Sequence, residues 1–326
     1  MVDFDSKDRR LLYELDKNSR QSTSRLAKKT GLSKDSVAYR INRLLKEGVI
    51  KSFNTVIDTK KAGYTSFRLF IKLYNTTTEI EDKIFEFLLK NENLIWIVKV
   101  DGKWDINTWF AYKTIEEMND FWKKLLEKYN NFILEREFGI YTNMAYFGRN
   151  YLLNGQGEKF SMPTISMAEP TKLKDVDLKI LELLSQNARI PVIELAKKTG
   201  LTSKTIITKI RWLKENKVIH GFRTEFDLEK LGYKYYKIHI TTFNTTKEKL
   251  ERLNLFIFEH PNIIYQDEVL GGHDIEIEVQ VKNDDELRKL LSEIRNKFGN
   301  MIRNYEVLRY YQEYRLKFFP SASSKE

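Results

Sequence analysis

The chain has 326 residues, 41% of them hydrophobic and 31% charged, which is enough apolar content for packed cores and excludes wholesale disorder. Cysteine is absent, so disulfides, thiol nucleophiles, thiolate metal sites and iron–sulfur clusters are excluded together. The formal charge of +10 suggests a polyanionic partner, and where that charge lies decides more than its sum. No run approaches the roughly 18 apolar residues of a membrane span. The opening MVDFDSKDRR carries no apolar signal core, so a cytoplasmic protein without membrane contact is expected.

From Asp5, DSKDRRLLYELDKN places Leu11, Leu12 and Leu15 on one helical face, with Asp5 or Ser6 as cap. A second helix is expected from about Ser22 to Lys29, burying Leu26 and Ala27. Gly31 then supplies a turn where positive φ is cheap. Ser33 caps a third helix to about Lys46, with Val37, Ile41 and Leu44 spaced i, i+4, i+7. Gly48 ends it, and VIKSFNTVID reads as a strand leaving the module. Helix, short glycine-containing turn and helix is the helix-turn-helix plan, whose later helix enters the DNA major groove. With the apolar stripe inward, Asp35, Tyr39, Asn42, Arg43 and Lys46 point outward, Ser36 and Arg40 flank them, and Lys34 stands at the helix start. Ser36 and Tyr39 suit base edges, and Arg40 and Arg43 suit guanine or phosphate.

Further along, Phe67–Asn75 alternates as a strand, and Glu79–Lys90 carries Ile80, Ile84, Phe87 and Leu88 on one helical face. Strands follow at Leu94–Asp101 and Asp105–Tyr112, a helix at Ile115–Tyr129, and a long strand at Phe132–Phe147. This β-α-β-β-α-β order is the ferredoxin-like plan. Gly148–Lys172, with Gly155, Gly157, Pro163 and Pro170, shows no lasting periodicity and reads as a linker, although Tyr151, Leu152 and Leu153 offer it packing surface.

The chain then repeats itself at an offset of 169: LAKKTGL occurs at Leu26–Leu32 and again at Leu195–Leu201. Phe4–Tyr64 against Leu173–Tyr233 gives 22 identities in 61 positions without a gap. In the second copy Pro191 fits a helix first turn and Thr202 caps the reader helix, with Ile206, Ile210 and Leu213 inward. Lys204, Thr205, Thr208, Arg211 and Trp212 face out, with Ser203 at the start and Lys209 flanking. The ferredoxin-like order recurs at Tyr235–Asn244, Lys247–Glu259, Ile263–Leu270, Asp274–Val281, Asp284–Phe298 and Met301–Phe319. The expected divisions are therefore helix-turn-helix domains at 1–57 and 173–226, ferredoxin-like domains at 58–147 and 227–320, a linker at 148–172 and a tail at 321–326.

Residues 1–57 and residues 170–226 each carry a net charge of +6, whereas 58–148 and 227–326 are each −1. Solvated faces of ordinary helices would explain one basic module. Two, with the same imbalance, favour modules that attract phosphate backbones through counterion release.

These stretches resemble the Lrp/AsnC (feast/famine) transcriptional regulators. The features that carry the resemblance are the Asp-rich starts (Asp5, Asp8; Asp175, Asp177), LA-x-x-x-GLS/T, R/K-I-x-x-L and VI-x-x-F, each present twice. The resemblance implies an α+β chain of two winged helix-turn-helix domains alternating with two βαββαβ ferredoxin-like (RAM) domains. It implies DNA contact through Ser33–Lys46 and Thr202–Lys214, intramolecular pairing of the two units, and homo-oligomers. It also implies a small-molecule effector such as an amino acid, held by the G-x-x-D turns at Gly102, Asp105, Gly271 and Asp274. Read as residues alone, those turns favour plain hairpins in which Gly provides the turn and Asp caps it over an effector site. Trp96, Trp104, Trp109 and Trp122 are read as core or interface.

No Walker loop, G-x-G-x-x-G, G-x-S-x-G or H-E-x-x-H occurs, and His220, His239, His260 and His273 lack metal-ligand spacing, so no cofactor, metal or enzymatic role is expected. N-x-T at Asn75 and Asn244 reads as a strand-to-helix turn with Thr capping. The leading reading is a sequence-specific regulator binding double-stranded DNA. Its rivals are a sirohaem-decarboxylase-like enzyme, since those enzymes resemble this family and use paired units, and a non-specific architectural DNA binder.

Overall fold

The computed structural model describes residues 4–320, so the expected tail at 321–326 lies outside the described residues. The first repeat runs α1 (Ser6–Lys17), α2 (Thr23–Thr30), α3 (Lys34–Lys46), β1 (Ile50–Ile57), β2 (Thr65–Leu73), α4 (Thr78–Leu89), β3 (Leu94–Asp101), β4 (Ile106–Tyr112), α5 (Ile115–Tyr129) and β5 (Ile133–Phe147). A connecting strand, β6 (Ser161–Ile165), follows. The second repeat runs α6 (Asp175–Gln186), α7 (Val192–Thr199), α8 (Ser203–Glu215), β7 (Ile219–Phe226), β8 (Lys234–Thr242), α9 (Lys247–Glu259), β9 (Ile263–Leu270), β10 (Ile275–Val281), α10 (Asp284–Phe298) and β11 (Ile302–Leu316). No helix among the described residues is long and apolar enough to cross a membrane.

Local chemistry fixes the helix ends. Asp5 accepts the Asp8 amide at 2.6 Å, Ser33 accepts that of Ser36 at 3.1 Å, and Thr202 that of Thr205 at 3.2 Å. Gly31 and Gly200 close α2 and α7 at φ of 66° and 70°, where a Cβ would be strained. Asn75 and Asn244 both sit at φ 49°, and Thr77 and Thr246 two residues on cap α4 and α9.

The strand that leaves each helix-turn-helix module does not fold back on its own module. It pairs with its counterpart, β1 against β7, in an antiparallel two-stranded sheet. The bonds around this pair come in reciprocal sets. The Asp58 amide donates to the Val218 carbonyl at 3.0 Å and the Asp227 amide to Val49 at 2.9 Å. The Thr55 hydroxyl donates to the Leu184 carbonyl at 2.7 Å and the Thr224 hydroxyl to Leu15 at 3.0 Å. The two modules are thus tied to each other by an approximate twofold relation.

The remaining strands form one sheet in the order β2-β4-β3-β11-β8-β10-β9-β5-β6, and a β2–β5 pairing closes the first eight into a barrel. Closure depends on the two long strands. β5 pairs with its own β2 up to Ile140 and with β9 of the other repeat from there to Tyr146. β11 pairs with its own β8 and then, from Arg309 to Leu316, with β3. Outward residues of each half, such as Leu69, Ile71 and Ile97, pack beneath α4 and α5, and Ile238, Ile240 and Ile277 do so beneath α9 and α10.

The segment expected to be a linker is instead built into the fold. Tyr151 and Leu152 are buried, as is Arg149, whose guanidinium donates to Asp16 at 2.6 Å. Residues 161–165 add β6 to the edge of β5, and Met162 packs so tightly on Gly221 that a Cβ there would lie 2.6 Å from its sulfur. Sequence periodicity misses a five-residue strand whose pairing partner is remote.

Candidate nucleic-acid interface

The outer faces of α3 and α8 carry most of the expected contact residues. On α3, Lys34, Asp35, Tyr39, Asn42 and Lys46 are exposed and Ser36 is half-buried, with Tyr39 68% exposed. On α8, Lys204, Thr208, Arg211 and Trp212 are exposed, and Ser203 and Thr205 are half-buried. The exposed Ile207 and Leu45, not expected, extend these faces.

Three expected contacts are placed differently. Arg40 donates to Asp8 at 2.8 Å and to Asp5 at 2.9 Å, and Arg43 donates to Asp8 at 2.7 Å. Lys209 donates to Asp177 at 2.6 Å. Asp8 and Asp177 occupy matching positions on the first helix of each module, and both carboxylates are buried. The shared Asp8 carboxylate holds both guanidiniums above their ordinary pKa, and the Asp8 amide, then Arg40, hold Asp5 below its own. Arg40, Arg43 and Lys209 therefore brace the reader helix against the first helix. A helical wheel places a side chain on its own helix but says nothing of a carboxylate on the next. Among the described residues Lys34, Lys46, Lys204 and Arg211 make no ion pair, and all four are exposed.

The G-x-x-D turns lie where the repeats meet. Gly102 is at φ 128° against Leu308 of β11, and Gly271 at φ 85° against the Phe138 carbonyl of β5. Asp105 accepts from the Leu73 amide at 2.6 Å and from Lys72 at 2.9 Å. Asp274 accepts from the Thr242 amide at 2.6 Å and its hydroxyl at 3.0 Å. Both carboxylates clamp the end of a neighbouring strand, as the hairpin reading expects of a capping Asp. A row of rings, Trp104, Phe70, His239 and His273, bridges the two turns through the barrel.

The barrel interior is charged, which the sequence reading missed. Arg68, Lys237, His239 and Glu276 are fully buried. Arg68 pairs with Glu276 and, at 2.7 Å, with Glu137; Lys237 pairs with Asp267 and, at 3.2 Å, with Glu276. Burial pushes His239 down to about 4 and drives Asp267 upward even beside Lys237. The histidines, unremarkable in spacing, are brought together here: β8 and the β9–β10 turn stack His239 on His273. A cavity of about 30 Å³ between Trp96, Trp109, Arg223 and Gln280 has room for about two waters. A larger cleft of about 720 Å³ opens between β7 and β11 and is lined by Lys51, Lys234, Lys282 and Arg309 together with Asp227 and Glu313. In the other half, β6 covers β5 from Met144 to Phe147. The matching stretch of β11, which starts at Glu313, has no such cover among the described residues and borders the cleft.

A family model described as winged helix-turn-helix DNA-binding matches residues 4–51 and, again, 173–220. The HTH-type transcriptional regulator FL11 of Pyrococcus furiosus is 32% identical over 122 residues, covering 36% of this chain and 78% of that protein. The proline dehydrogenase transcriptional activator of Rhodobacter capsulatus is 35% identical over 122 residues, 36% of this chain and 77% of that protein. Among solved structures, the siroheme decarboxylase NirDL is similar over 96% of this chain and 93% of its own, with a TM-score of 0.61 at 13% identity, a likeness of fold.

Proposed function

Because the chain belongs to the Lrp/AsnC family of helix-turn-helix transcriptional regulators, carrying the family unit twice, we propose that it acts as a single-chain pseudo-dimer on a two-part DNA site. The observation that carries this reading is a pair of capped reader helices, with unpaired cations outward, tied together by β1–β7 and its reciprocal hydrogen bonds. Tyr39 and Asn42 read one half-site; Thr208, Arg211 and Trp212 read the other; Lys34, Lys46 and Lys204 hold phosphate. Asp35 discourages phosphate at one position where the second copy has Lys204. The divisions at 1–57, 58–147, 173–226 and 227–320 serve as reading and pairing modules, and 148–172 as a structural tie. Binding measured against salt tests this: Lys46→Ala and Lys204→Ala should each lower the log–log slope by about 0.9, whereas Arg40→Ala should leave it unchanged.

An effector, on this reading, enters the 720 Å³ cleft in preference to the G-x-x-D turns. The cleft carries both signs of charge, as the zwitterion of an amino acid needs. The same four cations support a second reading, a tetrapyrrole carboxylate as substrate, because a neighbour in fold over nearly the full chain is a siroheme decarboxylase. An absorbance change on adding sirohaem to the purified chain would favour it; none would leave the regulator without that activity.

Ile115, Phe138 and Leu270 are exposed around an apolar recess floored by Met118 and Trp122. The matching positions of the other half hold Asp284, Val307 and Asp101. An apolar patch present in only one of the two halves supports a closed dimer of chains through a self-complementary contact, without growth into rings.

A further inference from the structure

His239 on β8 is fully buried, and neither of its ring nitrogens makes a hydrogen bond. Its Nε2 lies 3.6 Å from Glu276 and its Nδ1 3.5 Å from Glu306. His273 stacks on it with ring centroids 4.2 Å apart, and the His273 Nδ1, 3.9 Å from the other Glu276 oxygen, is unpartnered too. One ligand atom from each of His239, His273 and Glu276 lies within 4.8 Å of the other two. A neutral imidazole carries one donor and one acceptor, and burying both unsatisfied is costly unless something else occupies them.

The duplication supplies an internal control. The first copy holds Phe70, Trp104 and Asn107 at the positions of His239, His273 and Glu276. Phe70 and Trp104 stack with the same 22° between ring planes as the two histidines. The fold thus needs only a ring pair here, and the first copy's pair leaves one ring nitrogen, Trp104 Nε1, without a partner, against three in the second copy. The second copy replaces it with two nitrogen ligands and a carboxylate. Gly272 lets the turn close over them: a Cβ there would lie 2.5 Å from Glu276 and 2.8 Å from Arg68. The buried cations Arg68 and Lys237 face more carboxylates than they neutralise, with Asp267 and Glu278 beside Glu276 on Lys237.

We infer that His239 Nε2, His273 Nδ1 and Glu276 bind one first-row divalent transition-metal ion, with Zn²⁺ the best match. Two imidazoles and a carboxylate form a borderline donor set that suits such ions, and three protein ligands leave a position open to water. Bonds of about 2.0–2.1 Å ask the three groups to converge modestly on one centre. His273, in a turn and a quarter exposed, is the side chain free to swing and the way in from solvent. Glu306, facing His239 Nδ1, is the outer carboxylate that fixes ring orientation. No DNA contact is involved, so this site stands or falls apart from the regulator reading.

The full chain, stripped with a chelator and dialysed, is titrated with Co²⁺ and followed by visible absorption, then back-titrated with Zn²⁺. One Co²⁺ per chain with ligand-field bands, displaced by Zn²⁺, is expected. His239→Phe and His273→Trp install the residues of the first copy and should each abolish the bands while circular dichroism stays unchanged. Glu306→Gln should weaken binding about 10–100-fold, and His260→Ala should leave it unaltered. Absence of bands from the unaltered chain overturns the site, and this arm decides even if a variant fails to fold. Bands that persist in both histidine variants also overturn it, because the ion then sits elsewhere.

Discussion

Asp8→Asn is the most informative single change in the reader modules. The Asp8 carboxylate, 1% exposed, accepts from Arg40 at 2.8 Å and from Arg43 at 2.7 Å. Hydrogen bonds to charged groups contribute about 1.5–3 kcal/mol each. Asn keeps one oxygen that still accepts from one guanidinium, and the two arginine side chains, 19% and 29% exposed, regain some hydration. The expected loss is therefore about 2–3 kcal/mol, below the cost of stranding a fully buried charge. Asp177→Asn, with only Lys209 as side-chain partner, should cost less, about 1–1.5 kcal/mol. Urea unfolding gives both differences from midpoint and slope. DNA binding by Asp8→Asn should keep its salt slope, since neither arginine is counted among the phosphate contacts. An unshifted midpoint, or a slope that falls by about one in Arg40→Ala or in Arg43→Ala, would refute the bracing role and return Arg40 and Arg43 to the DNA face.

Ser33→Ala and Thr202→Ala should each lower stability by about 1 kcal/mol and raise amide exchange in the first turn of α3 or α8, measured by hydrogen exchange. Burial, reinforced by Lys159, holds His260 down to about 4 from 6.5, and its Nδ1 accepts the Asn262 amide at 3.2 Å. The unfolded chain takes up that proton first, so stability should fall by up to about 3 kcal/mol as pH drops from 6.5 to 4, and His260→Asn should flatten that stretch of the profile. Leu270→Lys should convert a dimer of chains to monomers by light scattering, while Asp101→Lys, at the matching position of the other half, should not.

The helix-turn-helix modules are legible in the sequence because their devices are local: Ser33 and Thr202 as caps, Gly31 and Gly200 as left-handed turns, and an apolar stripe of period 3.6. Duplication and segregated charge make the DNA face legible as well. What fails to show is everything set by contact between copies. Lys237–Ile240 and Ile275–Val279 alternate charged with apolar residues, the usual mark of a strand with one solvated face. Barrel closure turns that face inward and buries Lys237, His239 and Glu276. Likewise Arg40 belongs to the outward flank of its own helix until Asp8 is placed beside it. His239 and His273, 34 residues apart, share no ligand spacing, since a turn and a strand from different hairpins bring them together. A scan for charged residues at alternate positions in both copies, compared at the offset of 169, would have pointed to the interior.

Selection of DNA sites by the intact chain from a random pool, at two salt concentrations, bears most directly on the claim that one chain carries two unlike readers. Tyr39 matches Thr208, Asn42 matches Arg211, and Trp212 stands where the first copy has Arg43. The selected site should hold two dissimilar half-sites about one helical turn apart, and Arg211→Ala should relax one of them only. A perfect palindrome, or equal affinity for selected and random DNA at physiological salt, would contradict it.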